Sequence, residues 1–193
     1  METPSEINWY ELAQEWAANV RAHAGYFSWE LDRSIAESGV LDDFQTSLKR
    51  TAALFFTQAR HRGQGNDPPD CEAIDDAGRR IGIELTELVD PVSAAAARAR
   101  SHYDWKDWRL TLIPYLDRRI RKKDKPKRVH GGPYSKYVLV IYTDEPWLEL
   151  DHIRRTLAAH EFPPTSLISR AYLLMSYWPP EEVCPCIKLN IGP

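Results

Sequence analysis

The chain has 193 residues, 43% of them hydrophobic and 27% charged, with a net charge of −3. That length supports one well-buried core of ordinary globular composition, and the negative balance excludes binding of nucleic acid through global charge, leaving local charge asymmetry as the informative quantity. No stretch approaches the ~18 apolar residues of a membrane span, the first eight residues lack the basic start and apolar stretch of a secretory signal, and three cysteines, an odd number, fit a reducing cytoplasm better than a disulfide scaffold.

Thr3-Pro4-Ser5-Glu6 reads as a helix start: a capping threonine, a proline in the first turn and a glutamate that closes a capping box. Trp9, Leu12, Trp16 and Val20 then make one apolar face, and Gly25 ends it. Ser28 opens a short second helix with Leu31 and Ile35 inward, closed by Gly39. Leu41, Phe44, Leu48, Ala52, Phe55 and Ala59 predict a third, running to about Arg62. These helices are expected to cover one face of a sheet. Gly63-Gln64-Gly65-Asn66-Asp67 is a loop by composition, leaving little room for a strand before Asp70.

Residues 66–90 carry the chemistry. Pro68 and Pro69 bar a helix and force an extended entry. Cys71 to Ile74 is a short extended run, and Asp75-Asp76-Ala77-Gly78 has hairpin-turn chemistry. Arg80 to Val89 then alternates with period two. Ile81, Ile83 and Leu85 share one face; Gly82, Glu84 and Thr86 share the other. A hairpin of this kind brings Asp70 close to Glu84. Two carboxylates so placed repel unless a positive charge lies between them. A hard divalent cation answers that need, and Mg²⁺ requires only one or two carboxylates beside waters and substrate phosphate. Glu87 is one residue off the face of Glu84 and joins the site only if the strand ends or bulges after Thr86.

Pro69-Asp70, followed after a hairpin-sized gap by Ile83-Glu84-Leu85-Thr86, resembles the PD-(D/E)XK nuclease superfamily. That resemblance implies a restriction-endonuclease-like fold in which Asp70 and Glu84 bind Mg²⁺ or Mn²⁺, with the carbonyl of Leu85 as a further ligand. Glu87 would complete the coordination or orient the attacking water. The family's lysine falls at Thr86, which departs from the pattern. The family also draws a further acid from a preceding helix, for which Glu30 and Glu37 are candidates.

After Asp90-Pro91, the alanines at 94–97 favour helix. The spacing of Trp105, Trp108, Leu112, Leu116 and Ile120 predicts helix through about Lys123, open to an interruption near His102 and kinked by Pro114, with the tryptophans in the core. It runs into Arg118, Arg119, Arg121, Lys122, Lys123, Lys125, Lys127 and Arg128, eight basic residues against the single acid Asp124, a local charge of +7. Such a focused patch suits a phosphate backbone. A lysine of this cluster can also supply the charge missing at Thr86.

Gly131-Gly132-Pro133 turns the chain. Tyr137 to Thr143 is a β-branched apolar run, the mark of a strand buried on both faces. Thr143 or Asp144 caps a helix with Pro146 in its first turn and Leu150, Ile153 and Leu157 inward. Residues 171–177 and 187–191 read as late strands. Cys184-Pro-Cys186 has neither Cys-x-x-Cys nor zinc spacing, so the cysteines read as structural.

The order predicts an α/β sandwich, a mixed central sheet flanked by helices. Helices over 1–62 pack on a nuclease-like core over 63–193, together forming one domain. The functional expectation is a Mg²⁺-dependent phosphodiesterase acting on DNA or RNA, cytoplasmic and without membrane contact. The alternative is a catalytically inactive nuclease-like module that binds nucleic acid or a protein partner.

Overall fold

A computed structural model describes residues 33–63, 65–92, 95, 106–145 and 148–192. The expected first helix, Glu30 and Trp105 lie outside the described residues.

Helix α1 spans Arg33–Arg50 and runs straight through Gly39. The stop expected there does not occur. Val40, Leu41, Phe44 and Leu48 are buried on the far side of the glycine, and burying each such side chain is worth about 1.5–3 kcal/mol. That exceeds the ~1 kcal/mol penalty of a helical glycine. Ile35, expected inward, is exposed. The helix expected to continue to Arg62 stops at Arg50, and Phe56–His61 is instead a strand, β1. There is therefore room for a strand before Asp70.

Among the described residues there follow β2 (Cys71–Asp75), β3 (Arg80–Glu87), α2 (Leu112–Lys123), β4 (Lys136–Thr143), α3 (Leu150–Ala158), β5 (Arg170–Met175) and β6 (Cys186–Leu189), with short 3-10 turns at Pro126–Arg128 and Pro179–Glu181. Helix α2 starts later than the tryptophan spacing predicts. Trp108 precedes it, buried, and accepts the Leu112 N–H at 2.9 Å. Pro114 falls in its first turn, where a missing N–H costs nothing, so it does not act as a kink.

The six strands form one mixed sheet in the order β1-β2-β3-β4-β5-β6. β1, β2 and β3 are antiparallel neighbours, β3, β4 and β5 run parallel, and β6 returns antiparallel. The β2–β3 turn forms as its residues dictate. Asp75 Oδ1 accepts the N–H groups of Ala77 and Arg79 at 3.0 and 2.9 Å, and Gly78 takes the positive φ of 73°.

Three layers result. One core packs α1 against Phe56, Cys71, Ala73, Ile81, Ile83, Leu85, Val138 and Val140. The other packs α2 and α3 against Tyr137, Leu139 and Ile141 of β4 and Ala171 and Leu173 of β5. β4 contributes to both, as its unbroken apolar run predicts. Leu150, Ile153 and Leu157 are the buried stripe of α3. Cys71, Cys184 and Cys186 are free thiols, the first two buried. No helix among the described residues is long and apolar enough to cross a membrane.

Candidate active site

Asp70 immediately precedes β2, whose first residue, Cys71, pairs with Ile83. The antiparallel register therefore sets Asp70 opposite Glu84. Each is 3% exposed. Alternation puts Glu84 on the same sheet face as Gly82 and Thr86, opposite the face of Ile83 and Leu85. Gly82 is needed there. A Cβ would stand 3.0 Å from Pro69 Cγ and 3.1 Å from Tyr137 Cδ2, so the glycine lets Pro69 and Tyr137 close around the acids.

The Leu85 N–H donates to Asp70 Oδ2 at 2.7 Å. Within a strand a residue's N–H and C=O point to the same edge, so the Leu85 carbonyl lies toward Asp70. Tyr137 Oη donates to Glu84 Oε2 at 3.1 Å. Lys123 Nζ meets the other oxygen, Glu84 Oε1, in a direct ion pair. The lysine comes from α2 by simple periodicity. Leu112, Leu116 and Ile120 form its buried stripe, and the next position on that stripe is Lys123. Asp124 then fixes the helix end, accepting the N–H groups of Ser166 at 2.9 Å and Leu167 at 2.7 Å.

Thr86 is buried on the face of Glu84 and pairs with Ile141. The register continues unbroken to Glu87, which pairs with Tyr142. The condition for Glu87 to join the site is not met, and alternation turns it to the opposite face. Glu37 belongs to α1, which packs on that same opposite face, and it reaches Asp70 only as a neighbouring charge. It is 7% exposed and accepts a hydrogen bond of 2.7 Å from His61 Nε2. The Gly63 N–H points at His61 Nδ1, so the proton sits on Nε2. Sequence singled out Glu37 but not His61, whose place on an unrecognised strand gave no signal.

The basic run divides. Lys123 turns inward. Arg121 pairs with Asp117 at 2.8 Å, and Arg118 and Arg119 lie 5.8 and 5.4 Å from the Tyr115 ring centroid. Lys122, Lys125, Lys127 and Arg128 are exposed.

Burial pushes the Asp70 carboxyl up to about 7, aided by the neighbouring Glu84 charge and more weakly by Glu37; the Leu85 N–H and Lys123 pull the other way. Burial likewise raises the Tyr137 phenol and the Cys71 thiol, so both stay protonated. The unfolded chain releases the Asp70 proton near 3.9. Between about pH 4 and 7 the folded protein therefore holds the extra proton, and stability falls as pH rises through that window, by a few kcal/mol in all. Asp70→Asn keeps an acceptor for Leu85 and cannot ionise. In chelator its melting temperature should exceed wild type at about pH 8 and match it at about pH 5. A lower melting temperature at the higher pH would show the carboxylate to be stabilised.

Among the described residues no three His, Cys, Asp or Glu side chains are arranged to hold a metal ion by themselves. Mg²⁺ does not require three, because it retains waters and takes substrate phosphate as a ligand. Asp70, Glu84 and the Leu85 carbonyl are hard oxygen donors of the right kind. The residues fit such an ion, provided Glu84 shares the oxygen now held by Lys123. No family model matches the chain, and no curated protein or solved structure matches it.

Proposed function

We propose that the chain is a divalent-metal-dependent phosphodiesterase that cleaves DNA or RNA on a restriction-endonuclease-like core. The observation that supports it most is the Lys123 ammonium, brought by α2 onto Glu84 beside the buried Asp70. The lysine that the PD-(D/E)XK pattern puts at Thr86 is thereby replaced from another element. Bound Mg²⁺ or Mn²⁺ supplies polarisation of the scissile phosphate and a water acidic enough to attack it. Asp70, Glu84 and the Leu85 carbonyl would hold such an ion, with Asp70 in its ionised form. Lys123 stabilises negative charge developing on the phosphate. Tyr137 fixes the orientation of Glu84 through its second oxygen, and the exposed lysines and Arg128 at the end of α2 hold the backbone.

The test is incubation of the chain with single- and double-stranded DNA and RNA, with Mn²⁺ or with chelator. Cleavage that needs Mn²⁺ and disappears in Asp70→Asn and Glu84→Gln is expected. One observation favours the alternative, a module that binds nucleic acid or a protein partner without chemistry. Both Glu84 oxygens are engaged and Asp70 holds a proton near neutrality, so the acid pair is balanced without an ion. Titration calorimetry separates the two: a wild-type protein that takes up neither Mg²⁺ nor Mn²⁺ excludes the catalytic reading.

A further inference from the structure

Three arginines surround one glutamate on the sheet face that carries Glu84. Glu72 pairs with Gly82 across β2–β3 and with Arg60 across β1–β2. The Arg60 guanidinium donates to Glu72 Oε1 at 2.5 and 3.0 Å. Arg80 donates to Oε2 at 2.6 Å, and Arg62 Nε stands 3.9 Å from the same oxygen. One carboxylate cannot neutralise three guanidiniums, so the group keeps two net positive charges. Arg60 is 76% and Arg80 41% exposed.

The 130–134 loop joins this group to the basic end of α2. Arg80 Nη1 donates to the Gly131 carbonyl at 2.5 Å, and its guanidinium lies 4.9 Å from the Tyr134 ring centroid. Gly131 also abuts the Arg62 guanidinium, where a Cβ would collide. The same arginine donates to the Pro69 carbonyl at 3.1 Å, and the His130 N–H to the Pro68 carbonyl at 2.7 Å. The segment entering Asp70 is thus clasped between Arg62 and the loop that follows Lys127 and Arg128. Positive charge borders the acid pair on both sides, from α2 and from β1–β3.

We infer that Arg60 and Arg80, backed by the largely buried Arg62, form a second phosphate-binding tract, along which a polynucleotide backbone is led over β1–β3 toward the edge of the site at Asp70 and Glu84. Glu72 holds the guanidiniums in place and, as an anion among them, competes with the incoming phosphates. The tract binds phosphate, which fixes the position of the backbone and carries no sequence information. This rests on the proposed function for its substrate class, but it concerns binding and needs no chemistry.

The experiment is fluorescence anisotropy with labelled single-stranded and duplex DNA in chelator, across a salt series. Arg60→Gln with Arg80→Gln should weaken binding on the order of tenfold and flatten the salt dependence by roughly two units of slope. Glu72→Gln should tighten binding, the opposite sign from a merely structural loss, which keeps the inference testable if the double variant folds poorly. Unchanged affinity and slope in the double variant, or weaker binding in Glu72→Gln, overturns the tract. The same variants assayed for Mn²⁺-dependent cleavage separate the two ideas. Wild-type cleavage that the double variant leaves intact sinks the tract alone. Tract-dependent binding by a protein that never cleaves supports the tract and sinks the catalytic reading.

Discussion

Lys123→Met should slow the proposed metal-dependent cleavage by on the order of 10²–10³-fold, the usual cost of one lost electrostatic stabiliser. Methionine keeps most of the stem's bulk and removes only the charge. Adding Thr86→Lys to that variant should recover part of the loss. Thr86 shares the face of Glu84 two residues along β3, so a lysine there starts from the same surface. In the wild-type background Thr86→Lys should bring no gain, since the charge is already supplied. Initial rates on one polynucleotide with Mn²⁺ decide it. If wild type is silent and Thr86→Lys alone cleaves, Lys123 does not replace the motif lysine and the chain is a decayed nuclease.

The largest stability effect falls at Glu145, beyond the end of β4 and remote from the acids. It is 4% exposed. Its Oε1 accepts the Asp90 N–H at 2.7 Å and its Oε2 the Trp108 indole N–H at 3.0 Å. One side chain therefore ties the exit of β3 and the approach to α2 to the end of β4. Glu145→Ala strands both donors in a buried place, at about 1–3 kcal/mol each. For a chain of this size that lowers the melting temperature by on the order of 10 °C. Glu145→Gln should recover less than half of it, because its amide nitrogen faces one donor with another. A shift of under about 2 °C in Glu145→Ala would mean that water replaces the carboxylate.

The sequence was legible where a local rule and the tertiary packing agree. Asp75 to Gly78 makes the expected turn, Ile81-Ile83-Leu85 alternates against Glu84 and Thr86, and β4 is buried on both faces. It misled where two periods coincide. Phe55, Phe56 and Ala59 extend the helical spacing of Leu48 and Ala52, yet the chain there is an edge strand. Of β1 only Phe56 is fully buried, and its register slips between Thr57 and Arg60. A short strand with one inward residue leaves no alternation to see. Lys123 was half legible. The apolar stripe of α2 points to it, but its meeting with Glu84, 39 residues away in the chain, depends on a crossover that no local pattern encodes. Glu37 and His61 meet only through β1, so missing the strand hid the pair.

Among the described residues every strand after β1 pairs with the one before it, so none of them waits for a partner not yet synthesised. The sheet can grow at one edge while residues are still being added, and each step closes only the loop to its predecessor. Asp70, Glu84, Lys123 and Tyr137 are together once β4 docks, ahead of α3, β5 and β6. At that moment the growing edge is β4, apolar on both faces, which is the kind of strand most prone to pair with a neighbouring chain. The finished protein retires that hazard. Among the described residues its outer strands are β6, four residues long, and β1, which carries Arg60 and an irregular register, and short, charged or bulged edges resist pairing with another molecule.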